Sequence, residues 1–363
     1  RNMRNPLPWL RLAPLAGPWR VLPINALQAR SLNYRHAFKA GNHADVLKHS
    51  VLLEVLRHVQ RKDKPAVYID THASRGVFDL KGAEQTRSGD ALRGVELLIR
   101  RANEGGDIHP MCQQYLDCVM SFNEVGASSP RLYPGSAMLM RKYLREGDRL
   151  VLSELHEEEA AALQQLFPKA YNRNVHVFGE EDGYQTWTAH VPPPERRGLV
   201  LCDPPYERTD EHDAVQRALV RHIQRWETGT VLVWHPIKER EQTDAFYEAL
   251  RGLNIEKMLA CEVLVRDPAR SPESLNGSGL VIVNPPFQLD SVLEGYAQWL
   301  ARALGNEDEG AHGRAWWLTA DERRKRKGVR VTVKPRMPKV VCASVEEIDD
   351  ESEGGGDAVR GTR

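Results

Sequence analysis

Short apolar, β-branched runs alternate with longer amphipathic stretches through the middle of this chain. The runs lie at 66–70, 149–153, 175–178, 198–202, 229–234, 257–265 and 279–284. Each is too short for a helix and too continuously apolar for a strand with one wet face, so each is expected as a strand buried on both sides. Between them, apolar positions recur at helical spacing near 157–167, 183–190, 211–226, 239–252 and 289–303. A further helix is expected near 43–60, with Val46, Leu47, Val51, Leu53, Leu56 and Val59 on one stripe. This alternation predicts an α/β fold, a seven-stranded parallel sheet with helices on both faces. One gap is out of rhythm. Residues of about 77–145 carry helical patterns near 88–101, 110–122 and 135–145, and predict an inserted small helical subdomain.

Composition and charge add boundaries. At 363 residues and 41% apolar, the chain has enough material for a sizeable core. No run approaches the length of a membrane span, and no membrane partner is expected. The five cysteines, Cys112, Cys118, Cys202, Cys261 and Cys342, lack metal-ligand spacing and read as reduced intracellular thiols, with no metal expected. The formal net charge is zero, but the charges are unevenly placed. Residues 1–44 hold six Arg and one Lys without a single Asp or Glu, 323–339 hold nine Lys or Arg, and 346–357 hold seven Asp or Glu. Residues 1–31 therefore read as a disordered or presequence-like extension, and 321–363 as a disordered basic-then-acidic tail. Import into a mitochondrion, ahead of a plastid, is expected on that ground. Without it the location would be cytoplasmic. Residues 32–320 remain as the folded domain.

The strongest chemical signal is Asp203-Pro204-Pro205-Tyr206, which closes the run at 198–202. Ligands of open α/β sheets sit beyond the carboxyl ends of strands, where this tetrapeptide is expected. An exocyclic amine attacks poorly because its lone pair is delocalised into the ring. The Asp203 carboxylate and the Pro204 carbonyl, held by two prolines, would each accept one N–H and turn the lone pair towards an electrophile. Tyr206 offers a face on which a base stacks. The plain alternative is a strand followed by a Pro-Pro turn. A similar sequence, Asn284-Pro285-Pro286-Phe287, ends the last expected strand. Its outer place in the usual strand order makes it structural.

Acids at strand ends extend the pattern. A nucleotide-type cofactor needs an acid after the second strand for its ribose hydroxyls. Asp70 ends the first strand and Glu154 the second, 154 − 70 = 84 residues later because of the insert. Asp182-Gly183 follows Glu154 by 28 residues, and Asp203 follows Asp182 by 21. Asp182 is expected beside the cofactor's adenine and Asp203 beside the reacting methyl, although any strand-end acid also serves as a helix cap. The loop Asp70-Thr71-His72-Ala73-Ser74-Arg75-Gly76 lacks the dinucleotide glycine fingerprint, which disfavours a nicotinamide cofactor. The architecture matches Rossmann-like class I S-adenosylmethionine-dependent methyltransferases, though dehydrogenases share its rhythm.

The segment from Leu32 to His49, reading LNYRHAFKAGNHADVLKH, resembles the start of the RlmJ family of large-subunit ribosomal RNA adenine-N6 methyltransferases. Asp70-Thr71-His72-Ala73, Tyr133-Pro134-Gly135-Ser136, Ser153-Glu154-Leu155-His156, Asp182-Gly183 and Asp203-Pro204-Pro205-Tyr206 agree, so the resemblance covers about 32–320. It implies S-adenosylmethionine contacts from His49, His72, Ser136, Glu154, Asp182, Gly183 and Asp203. It further implies that Asp203 accepts the amine proton and that Tyr34 meets the RNA. His36 and Lys48 are assigned to the same RNA side, with Arg35, Lys39 and Lys48 as phosphate partners. The expected substrate is protein-free or partly assembled large-subunit RNA, acted on by a monomer. Taken alone, His49 reads as a partly buried helix histidine, Tyr34 and His36 as surface residues, and Ser136 as a helix cap. Ser74 and Arg75 depart from the family pattern, which usually has a glycine and a small residue there. They would either crowd the cofactor or let Arg75 pair with its carboxylate. Two other functions fit the same residues, a DNA adenine-N6 methyltransferase and a catalytically silent RNA-binding or assembly protein.

Overall fold

The computed structural model describes residues 36–170 and 172–319. The expectations for 1–31, Tyr34, Arg35 and the tail beyond 320 lie outside these residues. In chain order the elements begin with α1 (His43–Val59), β1 (Val67–Asp70), β2 (Val77–Asp79), α2 (Ala83–Ser88), α3 (Val95–Asn103), α4 (Pro110–Met120), β3 (Leu132–Pro134) and α5 (Ser136–Lys142). There follow β4 (Arg149–Glu154), α6 (Glu157–Leu166), β5 (Val175–Gly179), α7 (Gly183–Ala189), β6 (Gly198–Cys202), α8 (Glu211–Arg225) and β7 (Thr230–Ile237). The last are α9 (Arg240–Gly252), β8 (Met258–Leu264), β9 (Gly277–Val283), α10 (Leu289–Leu304) and β10 (His312–Trp317).

The main sheet has the order β10-β8-β9-β7-β6-β1-β4-β5. All seven expected strands are in it, and two features differ from expectation. There are eight strands, because β10 pairs antiparallel with β8 along the sheet edge. Its sequence, His-Gly-Arg-Ala-Trp-Trp, mixes polar and aromatic residues and carries no buried-strand signature. The sheet is also not wholly parallel. The strands β5, β4, β1, β6 and β7 run parallel, whereas β9 runs antiparallel to both β7 and β8. Residues 265–276 between β8 and β9 contain only a single 3-10 turn, and a parallel crossover needs a longer connection.

That reversal corrects the reason for setting Asn284 aside. The strand β9 lies inside the sheet, between β7 and β8, rather than on its outer edge. Its direction is what removes Asn284 from the crevice. Val283 pairs with Val231 at the start of β7, so the end of β9 lies at the opposite edge from the ends of β1, β4 and β6.

Between β1 and β4 the chain forms helices α2 to α5 and the antiparallel pair β2–β3. Helix α1 packs between these helices and the sheet, touching α4, α5, β6, β7 and β9. Its Asn42 N-cap accepts from the Asp45 N–H at 3.0 Å. Burial extends around most of α1, polar residues included. This carries Lys48 and His49 into the interior, where the sheet topology turns back on either side of β1.

Candidate active site

The carboxyl ends of β1, β4 and β6 open into a crevice lined by His49, His72, Ser136, Glu154, Asp182, Gly183 and Asp203 together. All the residues expected around the cofactor therefore meet in one place. Asp70 is fully buried, and its Oδ2 accepts no hydrogen bond among the described residues. Burial raises its carboxyl to about 6 against the neighbouring Ser136 hydroxyl, with Asp203 adding to the rise. The Glu154 Oε2 accepts from the Ser74 N–H at 2.7 Å and its Oε1 from the His156 N–H at 2.8 Å. Burial pushes this carboxyl up to about 7 against those two bonds. Each Glu154 oxygen keeps a further lone pair directed at other donors.

The histidines are held neutral. Burial lowers His49 to about 3 and His72 to about 4. The His49 Nδ1 lies 2.8 Å from the Tyr133 hydroxyl, and the His72 Nδ1 lies 2.7 Å from Thr71 Oγ1. Asp182 caps α7, accepting from the Gln185 N–H at 3.0 Å, while also lining the crevice. A β-carbon on Gly183 would come within 1.9 Å of the Thr71 carbonyl oxygen, so only glycine lets α7 start against the β1 loop. Ser136 is not the cap of α5. Gly135 holds that position, and the Ser136 side chain stands beside Asp70.

A second cavity adjoins the first and shares with it His36, Lys48, Asp203, Pro205 and Glu207. It adds Tyr206, Trp234, Pro236, Lys39 and Lys238 to its walls. At the junction Lys48, only 4% exposed, forms ion pairs with Asp203 and, at 2.8 Å, with Asp45. Against the cost of burial, Asp203 and Asp45 raise the Lys48 ammonium above its ordinary value. The Asp45 Oδ2 accepts from the Gly41 N–H at 2.8 Å and lies 3.0 Å from His36 Nε2. Despite burial, His36 and Lys48 hold Asp45 well below the usual carboxylate range. Sequence reasoning missed Asp45, because an acid in the first turn of a helix ordinarily serves the helix dipole on the surface.

Two acceptors at the junction remain open. Asp203 Oδ2 takes the Lys48 ammonium. Among the described residues, neither Asp203 Oδ1 nor the Pro204 carbonyl oxygen accepts a hydrogen bond. Tyr206 stands just beyond them with φ 52°, its hydroxyl donating to the Trp234 carbonyl at 2.8 Å. Its ring lies edge-on to Trp234, with centroids 5.8 Å apart, on the wall of the second cavity. Of the residues assigned to RNA, His36 and Lys48 reach this junction, and Tyr34 lies outside the described residues. Cys202, fully buried below it, has its thiol pushed up by burial and is packing. Arg75 takes neither of its expected roles. It pairs with Glu159 of α6, a residue of the crevice wall, and does not itself line the crevice.

The chain is similar to known proteins along most of its length. Residues 63–319 match the family described as ribosomal RNA large subunit methyltransferase D, RlmJ. The chain is 35% identical over 290 residues to ribosomal RNA large subunit methyltransferase J of Escherichia coli K12, covering 80% of this chain and 100% of that protein. The enzyme of the same description from Haemophilus influenzae is 35% identical over 285 residues, covering 78% of this chain and 98% of its own. Among solved structures, protein LPL1258 from Legionella pneumophila superposes with a TM-score of 0.68 at 29% identity, over 78% of this chain and 99% of that one.

Proposed function

The chain belongs to the RlmJ family of ribosomal RNA large subunit methyltransferases, and from that premise we propose that it methylates N6 of an adenine, with Asp203 as acceptor for the amine proton. The methyl donor is S-adenosylmethionine, which supplies an electrophilic methyl on a sulfonium sulfur. The crevice residues fit that molecule. Glu154 offers oxygens with room for a ribose diol, and beneath the wall the fully buried Asp70 Oδ2 has no donor among the described residues. Asp182 and Gly183, at the start of α7, would flank the adenine ring, and His49, His72 and Ser136 complete the walls.

The observation that carries the reading is the pair of open acceptors, Asp203 Oδ1 and the Pro204 carbonyl. Two N–H bonds of an exocyclic amine, one to each, would favour a pyramidal nitrogen with its lone pair free. The Asp203 carboxylate would then take the proton that the methylated amine must lose. Tyr206 and Trp234 supply aromatic surface for the base in the second cavity, and Lys39 and Lys238 stand on its rim for phosphates. The base must leave its stack to reach this recess, so we also propose that protein-free or partly assembled large-subunit RNA is the substrate and that one chain suffices.

The test is to incubate the full chain with S-adenosylmethionine and naked large-subunit RNA, digest the product and analyse the nucleosides by mass spectrometry. N6-methyladenosine is expected. A methyl group on another position, or transfer only to duplex DNA, would overturn the assignment. Efficient methylation of mature subunits with none on naked RNA would overturn the substrate form alone.

A further inference from the structure

One buried carboxylate, Glu159 near the start of α6, ties down the loop after β1 at Ser74 and Arg75. It is 3% exposed and accepts from Ser74 Oγ at 2.9 Å, the Arg75 backbone N–H at 3.2 Å and Arg75 Nε at 2.8 Å, with Arg75 Nη2 on its other oxygen. Against burial, the Arg75 guanidinium holds the Glu159 carboxyl below its ordinary range. Ser74 sits at φ 49°, in the left-handed region that a residue with a β-carbon enters only at a cost. In that conformation its N–H meets Glu154 Oε2 at 2.7 Å.

We infer that Glu159 is a positioning residue for the cofactor: its bonds to Ser74 and Arg75 hold the loop in the left-handed turn, and that turn fixes Glu154. The inference rests on the reading of Glu154 as a cofactor ligand. Arg75 then acts as the counter-cation of Glu159, which accounts for an arginine at the rim of a cofactor loop. A glycine in place of Ser74 would enter the same turn without a latch. The serine and the Glu159–Arg75 pair are therefore one device, and neither is explained without the other.

The experiment measures the affinity of the full chain for S-adenosylhomocysteine by calorimetry. Glu159→Gln is expected to weaken binding about tenfold when residue 74 is serine, and less than about threefold in a Ser74→Gly background. Ser74→Ala keeps the β-carbon and removes only the hydroxyl bond, so it is expected to weaken binding about threefold even if Glu159→Gln proves unstable. Amide exchange at residues 73–76 of the cofactor-free protein should quicken in Glu159→Gln and in Ser74→Ala. An equal loss in both backgrounds, or no loss in Glu159→Gln or Ser74→Ala, overturns the inference. Glu154→Ala in the same series separates the two ideas. Unchanged affinity there removes Glu154 from the site, whatever Glu159 does.

Discussion

Two segments of this molecule look alike and are built for opposite ends. Asp203-Pro204-Pro205-Tyr206 and Asn284-Pro285-Pro286-Phe287 both end buried strands, and each places a residue in the left-handed region, Tyr206 at φ 52° and Asn284 at φ 51°. The strand β6 points its end into the crevice, and β9, running the other way, points its end out of it. The side chains follow suit. Asn284 Nδ2 donates to the Glu227 and Gly229 carbonyls at 2.7 and 2.9 Å, and the Asn284 backbone carbonyl accepts from Thr230 Oγ1. The amide nitrogen and the backbone carbonyl hold the start of β7, and the Asn284 backbone N–H donates to the Lys257 carbonyl at 3.0 Å. Among the described residues, Asp203 Oδ1 and the Pro204 carbonyl accept no hydrogen bond. Phe287 is 78% exposed, whereas the Tyr206 hydroxyl is tethered above the second cavity. On the proposed function, a motif of this kind acquires chemistry from the direction of its strand and from the acceptors left open.

The two segments should differ most in what Asp203 contributes. Asp203→Ala is expected to lower single-turnover methyl transfer on the order of a hundred-fold or more, with an unchanged circular dichroism spectrum. Near-normal turnover would leave the two segments functionally equal. Glu154→Ala should be next, weakening S-adenosylmethionine binding by roughly 1.5–3 kcal/mol with a smaller effect on the chemical step. Calorimetry with saturating-cofactor kinetics separates the two terms. Asn284→Ala should act on stability alone, costing about 1–2 kcal/mol in chemical denaturation through the lost carbonyl bonds. Its turnover per folded molecule should stay normal, and a loss comparable to that of Asp203→Ala would reverse the assignment.

The smallest effect is a pH dependence at Glu154. Burial raises its carboxyl to about 7 from an ordinary value of 4.5. The stability tied to the protonated form is present below 4.5 and is lost as pH rises through about 7. Melting temperatures of the cofactor-free protein should therefore shift in favour of Glu154→Gln over wild type between about pH 5 and pH 8. A gap that stays constant or moves the other way removes the buried carboxylate from the account.

Much of this was legible in the sequence because parallel strands buried on both faces leave a continuous apolar signature. The runs at 66–70 and 198–202 became β1 and β6, and the spaced acids Glu154, Asp182 and Asp203 line one crevice. The half-exposed edge strand β10 and the three-residue strands β2 and β3 were too polar or too short to register. The reversal of β9 was open to inference, since residues 265–276 hold no crossover helix. Asp45 and Glu159 were not. Each sits among ordinary helix-start acids, Asp45 in the first turn of α1 and Glu159 in a run of three glutamates. Only the fold turns those two inward, where Lys48 and Arg75 await them.

The end of β6 opens onto the crevice and the end of β9 lies at the opposite edge of the sheet, so on the proposed function only the former meets the reactants. Amide hydrogen exchange of the full chain, with and without S-adenosylhomocysteine and a large-subunit RNA stem-loop, tests it most directly. Protection is expected across 71–76, 154–156, 182–184 and 203–207, with none gained at 284–288. Protection gained at 284–288 while 203–207 stays unchanged would contradict it.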